Sequence, residues 1–95
     1  MDEIGFREWL SKGNKQRKVQ TDCISRLRRI ERELELDLDI EFQSNYLEDV
    51  LKILSNKGLN SEMQKYGEIN LPIGKYYMCT YSHSVKEYIR FKTSL

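Results

Sequence analysis

The chain reads as an all-α protein, a small single-domain bundle of four to five helices over residues 1–95. Three observations predict this. Val19, Cys23, Leu27, Ile30 and Leu34 recur at intervals of four, four, three and four, which puts them on one helical face. Phe6, Trp9 and Leu10 keep the same spacing near the N-terminus, and Tyr77, Tyr81, Ser84, Val85, Tyr88 and Ile89 keep it near the C-terminus. Ninety-five residues, of which 39% are hydrophobic and 33% charged, suffice for one thin core and not for two.

The first helix is predicted over residues 2–12, with Asp2 as cap and Gly13-Asn14 as stop. The second starts at Lys15 or Lys18 and runs to about Leu36. There the period changes. Leu34, Leu36, Leu38, Ile40 and Phe42 alternate with Glu35, Asp37, Asp39 and Glu41, a period of two. A lone amphipathic strand has no partner in this chain, so an extended connection that lays its leucines on the helices is expected, with little or no sheet. A third helix is expected from Asn45, whose side chain would cap with Glu48 three residues on. Leu47, Val50, Leu51 and Leu54 form its stripe, and Gly58 stops it. Residues 59–75 are weakly patterned and broken by Gly67, Pro72 and Gly74; a short helix over Leu59–Tyr66 and an otherwise flexible connection are expected. The last helix should run from about Tyr76 to Phe91, with its tyrosines half-buried, ring in the core and hydroxyl at the rim.

Charge is segregated along the chain although the net is only +1. Residues 12–32 carry eight basic and two acidic side chains; residues 33–50 carry seven acidic and none basic. Such blocks either make an uneven field that draws an anionic partner to one side, or fold against each other and cancel. Cys23 and Cys79 are expected as two buried, reduced thiols, which together with the acidic start Met1-Asp2-Glu3 points to the cytoplasm. No apolar run approaches the length needed to cross a bilayer.

The helical order carries a resemblance. Phe6 and Trp9-Leu10, a basic turn, then Thr21-Asp22-Cys23-Ile24-Ser25-Arg26-Leu27-Arg28-Arg29-Ile30-Glu31, and finally Ser82-His83-Ser84-Val85-Lys86-Glu87-Tyr88-Ile89-Arg90-Phe91 resemble the SAM-like core-binding domain of tyrosine recombinases (phage integrases). Similar modules precede nuclease domains in some restriction and phage proteins. The resemblance implies a DNA-binding helical bundle in which the closing helix packs on the first two. The acidic run and residues 59–74 depart from that pattern. The recombinase catalytic residues belong to a separate domain, so recombination is not implied.

Two functions follow. The first is a non-catalytic module that contacts the DNA phosphate backbone through Lys15, Arg17, Lys18, Arg26, Arg28, Arg29 and Arg32, extended by Lys86, Arg90 and Lys92. The alternative is a protein–protein interaction module, or a small inhibitor from a mobile element, that works through Glu35, Asp37, Asp39 and Glu41 within the acidic 33–49 surface. An enzyme is not predicted: His83 is the sole histidine, and no motif supplies an orienting carboxylate or an oxyanion hole. One histidine and two distant cysteines make no zinc set, and the acidic run lacks the glycine turn of a calcium loop. No cofactor, metal, membrane or small-molecule substrate is expected.

Overall fold

In the computed structural model, which describes residues 1–94, every regular element is helical. Helix α1, Glu3–Lys12, starts where the Asp2 carboxylate accepts from the Gly5 amide at 3.1 Å. It stops where the Gly13 amide donates to the carbonyls of Trp9 and Leu10. Its inner face is Phe6 and Leu10. Helix α2, Arg17–Glu33, has no side-chain cap, and its first turn opens with Arg17 and Lys18, the wrong sign for the positive end of a helix. Burial of Cys23, Ile24, Leu27 and Ile30 must hold it instead. Val19, expected in that stripe, is 45% exposed. In the first turn Gln20 takes the inward place and donates to the Lys15 carbonyl at 2.9 Å.

The acidic run corrects the expected extended connection. Glu35 adopts a left-handed conformation (φ 52°) and ends α2. The Asp37 carboxylate then accepts from the amides of Asp39 at 2.8 Å and Ile40 at 3.3 Å, which starts helix α3, Leu38–Asn45. The alternation therefore does not define a face. Leu38 is buried, while Ile40, two residues on and about 200° around the helix, is 64% exposed.

Asn45 also behaves differently from expectation. It is the last residue of α3, and Tyr46 and Leu47, both left-handed, separate α3 from helix α4, Glu48–Leu54. The Asn45 side chain still serves α4, accepting from the Asp49 amide and donating to the Asp49 carboxylate; its partner is thus Asp49 and not Glu48. Val50, Ile53 and Leu54 form the buried stripe, with Leu47 buried just before them. A single 3-10 turn, Asn56–Gly58, and the four-residue helix α5, Ser61–Gln64, follow. Asn60 caps α5 and ties it back, donating to the carbonyls of Ile53 and Ser55. Residues 65–77 are irregular, with Leu71 and Pro72 buried and the Asn70 amide on the Glu33 carboxylate.

Helix α6, Met78–Thr93, packs against α1, α2 and α4. It begins two residues later than expected, so Met78 occupies the inner stripe, and Tyr76 and Tyr77 are exposed. Tyr88 lies at the centre of the bundle, edge-on to Phe6 with ring centroids 5.1 Å apart and tilted against Phe91 at 5.6 Å. Its hydroxyl accepts from the Asp2 amide at 2.7 Å and donates to the Asp39 carboxylate, linking α1, α3 and α6. Cys23 is buried as expected; Cys79 is not, and sits exposed in the first turn of α6. Both are free thiols. Among the described residues, no helix is long and apolar enough to cross a membrane.

Candidate nucleic-acid interface

Helix α2 turns its leucine side inward, so its basic residues emerge on the remaining arc. At about 100° per residue, Lys18, Arg29 and Arg32 fall within roughly 60° of one another, around the bearing of Ser25. Arg26 lies on one flank of that arc and Arg28 on the other. The Arg26 flank meets α6. There a groove of about 400 Å³ is lined by Asp22, Ser25, Arg26 and Arg29 from α2 and by Tyr77, Thr80 and Tyr81 at the start of α6. The Arg29 guanidinium donates to the Tyr81 hydroxyl at 3.2 Å, which fixes it at the groove, and it makes no ion pair with a carboxylate among the described residues. Tyr77, half-exposed, supplies an aromatic edge beside two cations.

The other basic residues are distributed less evenly. Arg28 pairs with Glu3 of α1, Arg32 with its neighbour Glu33 at 3.3 Å, and Arg90 with Glu87 at 3.1 Å. Arg28 and Arg32 are more than half exposed, so their pairs are weak and readily exchanged for another anion, whereas Arg90 is paired with the buried carboxylate of Glu87. Lys15 and Arg90 come together with Lys12 and Trp9 around a cleft of about 530 Å³ between the end of α1 and α6. Arg17 and Lys18 are exposed in the first turn of α2. Lys86 lies apart, beside Lys57 and His83. Lys92 is drawn away from the basic surface: its ammonium stands 3.4 Å from Asp39 and over the ring of Phe42.

Apart from Glu33, the acidic block does not pair with this surface. Asp37 and Asp39 gather with Glu31 around the α-amino group of Met1, with Glu31 at 3.1 Å, Asp39 at 3.6 Å and Asp37 at 3.7 Å. Burial by itself would lower that amine's pKa; the three carboxylates outweigh it and raise it. Burial likewise disfavours the Asp39 carboxylate, yet the Tyr88 hydroxyl, the amine and Lys92 bring it below the usual range. Tyr88, buried and facing Asp39, is held protonated well above the ordinary tyrosine value. Glu33 is lowered chiefly by the Asn70 amide. Within residues 33–41, the only carboxylate paired with an arginine of α2 is thus Glu33, on Arg32. Glu35 and Glu41 line a separate hollow.

Five residues of the groove, Asp22, Ser25, Tyr77, Thr80 and Tyr81, are not among the expected site residues. Tyr77 is expected on the inner stripe of α6, and no sequence signal marks a two-residue delay in a helix start. Among the described residues, no group of three or more histidine, cysteine, aspartate or glutamate side chains could hold a metal ion. No protein-family model, curated protein or solved structure matches this chain.

Proposed function

We propose that this protein is a non-catalytic DNA-binding module that grips the phosphate backbone of a duplex through α2 and the α2–α6 groove. The observation that carries the reading is the placement of Arg26 and Arg29 on one groove, in no ion pair among the described residues, while Asp37 and Asp39 are held at the Met1 amine. Phosphate oxygens are acceptors that guanidinium groups meet in bidentate fashion. Lys18 and Arg32 on the same arc would continue the track along the backbone, and Arg17 and Lys15 would flank its start. Such contacts set register and affinity without reading sequence. The resemblance to the core-binding domain of phage integrases, carried by Thr21–Glu31 and Ser82–Phe91, agrees with a SAM-like module of a phage or other mobile element. That module would act in the cytoplasm, where Cys23 and Cys79 stay as thiols.

The test is a fluorescence-anisotropy titration of labelled duplexes of unrelated sequence at low salt, with the wild-type chain and with Arg26→Gln/Arg29→Gln. Two lost phosphate contacts should weaken binding about tenfold or more, by the same factor on every sequence. Absence of duplex binding at low salt, or an unchanged affinity in the double variant, overturns the proposal.

A further inference from the structure

A second surface has the opposite chemistry and does not depend on the DNA reading. A hollow of about 440 Å³, half-enclosed and within the usual range for ligand pockets, lies where the end of α2, α3, α4 and α5 meet. Its floor is apolar, made by Leu34, Leu36, Val50 and Ile53. Four carboxylates, Glu35, Glu41, Asp49 and Glu62, stand around it against one cation, Lys52. Tyr66 completes the lining. Glu62 is paired with Lys65 at 3.1 Å, but Glu35, Glu41 and Asp49 pair with no basic side chain among the described residues.

We propose that this hollow receives an arginine or lysine side chain from a basic segment of a partner protein. An apolar floor under a carboxylate rim fits a side chain with an aliphatic stem and a cationic head, which buries the first and keeps the second among the acids. Tyr66 adds an aromatic wall for the cation. The floor and rim together select against two other occupants. A bare divalent ion has no use for the apolar floor, and no three of these carboxylates converge closely enough to ligate one. A second copy of this chain could offer Arg28 and Arg32 of α2 only by breaking their pairs with Glu3 and Glu33, and Arg29 only by leaving the Tyr81 hydroxyl. A heterologous basic segment meets every feature of the hollow. Its docking makes the unpaired carboxylates Glu35, Glu41 and Asp49 a recognition element.

The test uses the ¹⁵N-labelled wild-type protein and a fluorescein-labelled eight-residue peptide that alternates arginine and leucine. Amide shifts should be confined to residues 34–36, 41, 49–53 and 62–66. In anisotropy, Glu35→Gln/Glu41→Gln should weaken the peptide about fivefold or more, since two partly exposed ion pairs are lost. Tyr66→Ala should weaken it as well, whereas Glu8→Gln, an exposed acid on α1, should leave it unchanged. Shifts spread over the whole acidic surface overturn the proposal, as does an equal loss with Glu8→Gln. So does a light-scattering mass that rises with concentration and falls in Glu35→Gln/Glu41→Gln without peptide, because the occupant is then a second copy.

Discussion

Replacing Tyr88 by phenylalanine isolates the junction on which the placement of the acidic block depends. The ring of Tyr88 is wholly buried among Phe6 and Phe91, and phenylalanine fills the same space, so no cavity forms. Only the hydroxyl is lost. With it go the acceptor for the Asp2 amide at 2.7 Å and the donor to Asp39. An amide left without its partner costs about 1 kcal/mol, and a carboxylate deprived of a donor costs about 1–2 kcal/mol, reduced here because Lys92 and the Met1 amine remain near Asp39. The sum is about 2 kcal/mol, or about 8–16 °C in midpoint for a domain of this size. Urea denaturation should show it as a lower midpoint with an unchanged slope.

The loss should also depend on pH with a definite sign. Tyr88 is raised in the folded state, so its stabilisation is present below the unfolded tyrosine value of about 10 and fades as pH rises through the folded value. Asp39 is lowered, so its share is present above the unfolded carboxylate value of about 3.9 and fades as pH falls through its folded one. The difference between wild type and Tyr88→Phe should therefore hold steady from about pH 5 to 9 and shrink on either side. A difference below about 0.5 kcal/mol at neutral pH, or one that grows above pH 10, refutes this description of the junction.

Leu38→Ala should cost about 3 kcal/mol and Ile40→Ala less than about 0.5 kcal/mol in the same assay, because α3 buries the first and exposes the second; equal losses would restore an extended run. A thiol reagent should label Cys79 at once in the native protein and Cys23 only on unfolding, since burial both shields the Cys23 thiol and pushes its pKa up. Gly58→Ala should destabilise by about 1–2 kcal/mol, as φ is +80° there and the new methyl would stand 3.3 Å from Ile73 and 3.4 Å from Met78; a stability equal to wild type would show that the turn relaxes.

The long helices were legible because their inner faces obey one period over several turns. Cys23, Leu27 and Ile30 in α2 with Leu34 just after it, and Tyr81, Ser84, Val85 and Tyr88 in α6, are buried as that period requires. Short elements were not legible, because three or four residues cannot establish a period. The alternation of Leu34 to Phe42 joins a helix end, a turn and a helix start, and Leu36 and Leu38 fall two apart by that accident of connection. Asp37, read as one acid of the acidic block, was the one local signal for α3: an aspartate ahead of two helical amides is a cap. Asn45 does accept from an amide of α4, yet the two left-handed residues after it make its partner Asp49. The site divides in the same way. The basic stretch of α2 is visible in the sequence, but its meeting with Tyr77 and Thr80 depends on where α6 starts, a tertiary matter that no local pattern encodes.

The salt dependence of duplex binding tests the functional reading most directly. Lys15, Arg17, Lys18, Arg26 and Arg29 carry no carboxylate partner among the described residues. If these five meet phosphates, the logarithm of the association constant should fall with the logarithm of salt concentration at a slope of about −4 to −5. A slope near zero, with binding that persists at high salt, would contradict the account.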